Sequence, residues 1–281
     1  MIPVTYVLFY LGVTAYALGA LYALRYAVRG AKHRLNRSWW AVLSGAACLV
    51  IVFLLRGAQW QLLPMSTPTD TLSLFVVIAT VTVFLLLRQP NRLGLMVFYW
   101  PPFAIMLLVA AYLAIDDLAH PPKDLATVLL GVHVGLAFLA FALFLVASIT
   151  SLAYVFQVQH LKRRRTQGLF QKLPSLQELD HTLYGLIASG YPIFIVTLGI
   201  GLWWAYVDAT QLSATWWFSP KVFLAAAMTL LYAVCFHART RNFLRGPKLA
   251  YLVAGGFTVI LVGYLVLDVL RLANYNFWGT G

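Results

Sequence analysis

Residues 133–165 read HVGLAFLAFALFLVASITSLAYVFQVQHLKRRR, an apolar stretch that ends in a cluster of basic residues. No Asp, Glu, Lys or Arg precedes Lys162 in it. A transmembrane helix needs about 20 consecutive, predominantly apolar residues. The stretch therefore predicts a helix that crosses a membrane. It is longer than a bilayer requires, so its end, SLAYVFQVQHLKRRR, is expected to project into water as helix.

Apolar stretches of this kind recur along the whole chain. Of its 281 residues, 62% are hydrophobic and 10% are charged, whereas a soluble domain has about 25% charged residues. We predict an all-α fold: a polytopic integral membrane protein with about eight transmembrane helices. The spans are expected within a single transmembrane domain, 1–281, at roughly 4–28, 39–56, 70–88, 94–115, 125–158, 183–207, 220–238 and 249–270.

The basic residues predict the orientation of these spans. The first, third, fifth and seventh loops hold 16 of the 20 Lys and Arg residues, and the other side holds six of the eight acidic residues. Cytoplasmic loops carry the excess of Lys and Arg in membrane proteins. Both termini are therefore expected outside. The net charge of +12 is then explained by topology and contact with membrane lipid, and no nucleic-acid partner is expected.

This orientation can be tested by cysteine labelling. In a background with Cys48→Ala and Cys235→Ala, we expect Thr166→Cys to be labelled from the cytoplasm and Ala209→Cys from the outside, since the two residues lie in loops of opposite charge character. Labelling of both positions from the same side would contradict the predicted topology.

Two of the six histidines fall inside predicted spans. His133 lies about eight residues from the outer end of the fifth span, at a depth of ~12 Å. His237 lies about 17 residues into the seventh span, ~25 Å along it and near the cytoplasmic surface. An ionisable side chain within a membrane is costly and by default marks a functional site with a partner.

Each of these two histidines has a functional interpretation. His237 is a candidate axial ligand to haem iron, with Arg239 and Arg241 as partners for the propionates. The alternative is a boundary residue bonded to a headgroup or a carbonyl. The depths of His133 and His237 differ by roughly 13 Å, so they are interpreted as two sites, one in each leaflet. His181 or His160 could supply a second ligand beside His237.

The outer segment GLWWAYVDATQLSATWWFSPK, residues 201–221, is rich in aromatic side chains. Its tryptophans are Trp203, Trp204, Trp216 and Trp217. Anchoring at the membrane surface is a common role for such residues. Two tryptophan pairs so close together could also form a flat apolar surface that suits a porphyrin face.

The order of these motifs resembles the cytochrome c assembly family of haem-handling membrane proteins. The matching segments are the His133 span, HLKRR, LPSLQELDHTLYGLIASGYP, the aromatic segment, SPK and YAVCFHARTRNFLRGPKLA. The set looks like the transmembrane subunit of the System II cytochrome c synthase and its shorter HemX-like relatives. The resemblance covers about residues 125–270 well. Residues 1–124 match mainly in span count and in RGAQWQLLPMSTPTDTLSLF.

The resemblance implies that haem b is the cofactor. His237 aligns with an inner-site haem histidine, and His133 aligns with the first outer-site histidine beside the tryptophan-rich loop. The expected partners are haem, membrane lipid, and other cytochrome c assembly proteins or an apocytochrome. The implied location is the bacterial inner (plasma) membrane, as a multi-pass protein.

The chain departs from the synthase pattern at several positions. The acidic residues of the synthase loop are missing around Trp216 and Trp217, Tyr275 stands where the second outer histidine is expected, and Leu62 replaces an inner-site histidine. The resemblance then implies an outer site that is empty or holds five-coordinate haem.

These departures favour an accessory, HemX-like role over a complete synthase. The alternatives are a structural or regulatory membrane subunit without haem and, ranked last, a small-molecule transporter. A stand-alone enzyme is not expected, since the spans offer no metal triad, no nucleophile with a base and no phosphate loop.

Overall fold

A computed structural model describes residues 2–60, 63–64, 67–117, 128–164, 168–207, 220–240 and 244–269. Within these ranges the chain is helical, without β-strands, which confirms the all-α prediction. The α-helices are α1 Ile2–Arg29, α2 His33–Trp60, α3 Pro68–Leu86, α4 Met96–Asp117, α5 Val128–Lys162, α6 Leu176–Val207, α7 Pro220–Thr240 and α8 Pro247–Val269. Two short 3-10 helices, Pro90–Leu95 and Phe170–Lys172, precede α4 and α6.

The composition of these helices fits a membrane. Six of them, α1 to α6, contain apolar stretches long enough to cross a bilayer within the described residues. Helices α7 and α8 hold shorter apolar stretches, Val222–Ala238 and Pro247–Gly263. Large apolar side chains point outward, such as Leu54 (61% exposed), Ile105 (61%) and Val259 (72%). Extensive exposed apolar surface is typical of a lipid-facing side. The chain is a multi-pass membrane protein.

Several helices extend beyond the predicted spans. Helix α2 begins at His33, before the span expected from residue 39, because the polar segment HRLNRS is also helical. Helix α5 continues to Lys162, as expected for an end that projects beyond the membrane. Helices α4 and α6 run through their internal prolines without a break.

The chain divides into two compact units. Unit 1 contains Met1–Val128 and Phe156–Glu178, and unit 2 contains Leu129–Val155 and Leu179–Gly281. Helices α1 to α4 thus belong to unit 1, whereas most of α5 and all of α7 and α8 belong to unit 2. The assignment of the whole chain to a single transmembrane domain stays a prediction.

Close contact between α1 and α2 organises unit 1. A Cβ added at Gly19 would overlap the Val42 side chain, and one at Gly45 would lie 2.8 Å from Cδ2 of Tyr16. Membrane helices associate mainly through close packing, because the surrounding lipid is as apolar as their side chains. Small residues allow this close approach. The buried Tyr16 hydroxyl, 2.7 Å from Oγ1 of Thr80, then ties α1 to α3.

A buried ion pair connects α2 and α3. Arg56 Nη2 donates to Asp70 Oδ2 at 3.0 Å, and Arg56 Nε lies 3.0 Å from Oδ1. Arg56 is 1% exposed and Asp70 is 5% exposed. Thr67 caps α3: its Oγ1 donates to Asp70 Oδ2 at 2.8 Å and accepts from Asp70 N at 3.1 Å. The ion pair therefore ties the end of α2 to the start of α3 inside unit 1.

An aromatic core organises unit 2. Phe144 of α5 stacks on Tyr232 of α7, with ring centroids 3.5 Å apart and planes inclined by 12°. It also meets Phe194 of α6 edge to face at 5.7 Å. A Cβ added at Gly190 would lie 2.8 Å from Phe144 Cε1, so this glycine admits the ring. The stack fixes α5, α6 and α7 around one buried layer.

Candidate functional site

His133 is held between α5 and α6 of unit 2. Its Nδ1 lies 2.9 Å from the carbonyl oxygen of Thr197, which is 64 residues further along the chain. The Thr197 hydroxyl donates within its own helix, to the carbonyl of Ile193 at 2.8 Å. The imidazole is half-buried. The hydrogen bond therefore fixes the orientation of the His133 ring.

This hydrogen bond determines the tautomer of neutral His133. A carbonyl oxygen can only accept, so Nδ1 must carry the proton. The lone pair then lies on Nε2. Histidines that bind metals usually donate their other ring N–H to a carbonyl or carboxylate, which fixes the ring orientation. His133 thus shares this hydrogen-bonding arrangement and has the lone pair of Nε2 on its other side.

Gly201 provides the space for this ring. A Cβ added at Gly201 would lie 2.7 Å from His133 Cε1 and 3.0 Å from Nδ1. Real Cβ atoms do not approach other atoms so closely. Neither Thr197 nor Gly201 has a side chain that points to a site. Because the Thr197 contact uses a backbone carbonyl, no side-chain pattern could have revealed it.

His237 has a different environment. It lies on α7, it is exposed, and its Nδ1 is 2.9 Å from the carbonyl oxygen of Ala233, four residues earlier in the same helix. Its ring also meets Phe236 edge to face at 5.3 Å. The neutral ring again carries its lone pair on Nε2. The His237 ring is therefore oriented by its own helix, whereas the His133 ring is oriented by a neighbouring helix.

The remaining predicted histidines are His181 and His160. His181 is exposed near the start of α6, in unit 2. His160 belongs to unit 1, where its Nδ1 is 2.9 Å from the carbonyl oxygen of Phe156. Whether either residue provides a second ligand beside His237 stays a prediction.

Part of the predicted aromatic surface is described. Trp203 lies in the last turns of α6 and is 64% exposed, and Trp204 follows it in that helix. Helix α6 therefore carries both Gly201 and the first tryptophan pair within one turn. Arg239 lies in the last turn of α7. Trp216, Trp217, Arg241 and Tyr275 lie outside the described residues.

The described part of the chain contains no group of three or more His, Cys, Asp or Glu side chains placed to hold a metal ion. The donors that the histidines offer are single imidazoles. A haem would need only axial donors of this kind from the protein, because the porphyrin supplies four nitrogen ligands.

The fold defines a helical multi-pass membrane protein with imidazoles inside its apolar helices. The cytochrome c assembly protein family matches residues 40–273, which is more than half of the chain. The chain belongs to this family, which confirms the resemblance seen in the sequence.

Individual relatives agree with the family match. Protein HemX of Bacillus subtilis (strain 168) is 29% identical over 147 residues, which is 52% of each chain. The cytochrome c biogenesis protein CcsA of Guillardia theta is 23% identical over 247 residues, 80% of each chain. CcsA of Synechocystis is 32% identical over 100 residues, which cover 36% of this chain and 29% of that protein.

The chain spans about half the length of the Bacillus HemX protein that it matches. No solved structure matches it. The family and the name of the CcsA relatives support a role in cytochrome c biogenesis.

Proposed function

We propose that this protein handles haem during cytochrome c assembly, as an accessory, HemX-like membrane protein of the bacterial inner membrane. The observation that supports this most is the arrangement at His133, where the Thr197 carbonyl fixes the ring with its lone pair on Nε2. Membership of the cytochrome c assembly family supports the same proposal. The partners would be haem, other assembly proteins or an apocytochrome, and membrane lipid.

In this proposal His133 and His237 are axial ligands at two separate sites. His237 would hold haem b at the basic end of α7, with Arg239 and Arg241 beside the propionates and His181 as a candidate second ligand. His133 would hold haem near the outer tryptophans Trp203, Trp204, Trp216 and Trp217, with Tyr275 as a poor second donor. Haem, when bound, would be the cargo that is passed on intact to an apocytochrome. The protein's own part is to orient the imidazoles and to shield the porphyrin from water.

An optical spectrum of the full-length protein purified in detergent tests the proposal. A Soret band that persists through gel filtration, with haem b identified by its pyridine haemochrome, is the expected result. Protein that neither carries haem nor binds added haemin would contradict the proposal. That outcome would favour the alternative of a structural or regulatory subunit.

The space at Gly201 gives a sharper prediction for the outer site. Gly201→Val is expected to displace the His133 ring and break its bond to Thr197, since even a Cβ would lie 2.7 Å from Cε1. Loss of a supporting hydrogen bond typically lowers the affinity of a metal site by about 10–100-fold. Haemin titration followed by absorbance, with His237→Ala present in both proteins, would isolate the outer site.

The chain offers a matched control for this substitution. A Cβ added at Gly199, two residues earlier in α6, meets nothing within 4 Å. Gly199→Val should therefore leave haem binding unchanged. Equal effects of the two substitutions would mean that packing of α6, rather than the position of His133, determines the result.

A further inference from the structure

A cavity of about 690 Å³ lies within unit 1, at the end that carries basic loops. It is formed where α1 and α3 end, where α2 and α6 begin, and by both 3-10 helices. Cavities that bind small molecules commonly measure about 300–1,000 Å³. In the predicted orientation this cavity opens at the cytoplasmic surface of the membrane. None of the residues proposed to bind haem contributes to it.

The lining of the cavity has an excess of positive charge. Three cationic side chains, Lys32, Arg88 and Lys172, face one carboxylate, Glu178, which leaves a net charge of +2. Glu178 already accepts hydrogen bonds from Ser175 N and Oγ, both at 2.9 Å, and from the Asn91 amide. The Glu178 carboxylate is therefore already hydrogen-bonded to its neighbours. Lys32, Arg88 and Lys172 can then contact an anionic ligand.

Lys172 is fixed in the cavity wall. Its Nζ donates to the carbonyl oxygens of Tyr26 at 3.0 Å and Ala27 at 3.2 Å, near the C-terminal end of α1. It also lies 4.8 Å from the centre of the Tyr26 ring. Gly94 packs on the Lys172 backbone so closely that a Cβ would overlap its carbonyl. An ammonium group has three N–H donors, so one remains for a ligand.

Lys32 and Arg88 complete the cationic side. Both side chains are exposed and line the cavity. Neither has an acidic partner within ion-pair distance among the residues that the structure describes. Apolar side chains line the same cavity, including Trp39, Leu93 and Met96. The cavity thus combines donors for an anion with a surface for an apolar group.

We propose that this cavity binds the headgroup of an anionic phospholipid. Lys172, Lys32 and Arg88 would contact the phosphate, and Trp39 would contact the start of the acyl chains. Basic pockets between transmembrane helices at the cytoplasmic side are suited to such headgroups, and each Lys or Arg near the surface strengthens the attraction. The apolar lining favours a lipid over a free phosphate ion. The lipid then ties together the ends of α1, α3 and α6.

Native mass spectrometry of the delipidated full-length protein tests the proposal. We expect one molecule of added phosphatidylglycerol to bind saturably, whereas phosphatidylcholine should not. Lys32→Gln combined with Arg88→Gln should weaken binding by about 30-fold, given the contribution of each cation. These exposed side chains can be replaced without disturbing Lys172 or the fold.

Lys162→Gln combined with Arg163→Gln is the matched control. It removes the same charge from exposed residues of unit 1 outside the cavity, and it should leave binding unchanged. Equal weakening by the two pairs would overturn the proposal, because it would mean that general surface charge attracts the lipid. Equal binding of phosphatidylcholine, or binding of inorganic phosphate as strong as that of the lipid, would also overturn it.

Discussion

Replacing His237 with alanine is expected to lower the Soret absorbance per protein and to shift any low-spin bands. The substitution removes the imidazole proposed as the axial ligand at the basic end of α7. Loss of only a supporting hydrogen bond costs about 10–100-fold in affinity at metal sites, so loss of the ligand itself should cost at least as much. Haemin titration of the purified protein, with haem content per protein as a second readout, measures the effect.

A histidine outside the proposed sites provides the control. His33 begins α2 and is exposed at the same predicted side of the membrane. His33→Ala should therefore leave the Soret band unchanged. If His237→Ala also left the haem content unchanged, His237 would be a boundary residue whose ring bonds to the Ala233 carbonyl without binding iron.

Arg56→Met is expected to cause a large loss of stability in unit 1. Asp70 is only 5% exposed, and the substitution removes the cation that pairs with its carboxylate. The Thr67 hydroxyl still donates a hydrogen bond to this carboxylate. Removal of one partner from a buried ion pair typically costs about 3–5 kcal/mol. Thermal unfolding of the protein in detergent, followed by circular dichroism, should show a markedly lower midpoint.

Two further variants separate this effect from the loss of a basic residue. Arg37→Met makes the same change at an exposed position of the same helix and should have little effect. Arg56→Met combined with Asp70→Leu removes both charges and should recover most of the stability, because no unpaired charge remains. Similar midpoints for Arg56→Met and Arg37→Met would show that the ion pair contributes little.

The fold could be predicted from the sequence because the bilayer imposes a simple requirement. Every membrane-crossing segment must be long and apolar, and such stretches can be read directly. Helix ends could not be read in this way. Hydropathy marks where the chain leaves the membrane, whereas α2 begins at His33 because HRLNRS continues the helix in a polar environment.

The candidate site could be predicted only in part. The depth of His133 made it a candidate, since ionisable groups in membranes are costly. Its partner is the backbone carbonyl of Thr197, and every residue has a carbonyl, so sequence carries no mark of that contact. The predicted spans 39–56 and 70–88 place Arg56 and Asp70 at the outer side of the membrane, one at the end of a span and one at the start of the next. Their pairing depends on how α2 and α3 pack, which span counting does not address.

The Arg56–Asp70 pair also affects how α2 and α3 enter the membrane during synthesis. Arg56 leaves the ribosome 14 residues before Asp70. Helix α2 therefore reaches the translocon before Asp70 can neutralise the charge of Arg56. An arginine within an inserting helix opposes its partition into lipid. We expect this cost to fall once the start of α3 emerges and the Asp70 carboxylate pairs with the guanidinium. Helices α2 and α3 are therefore expected to enter the bilayer together, as a hairpin.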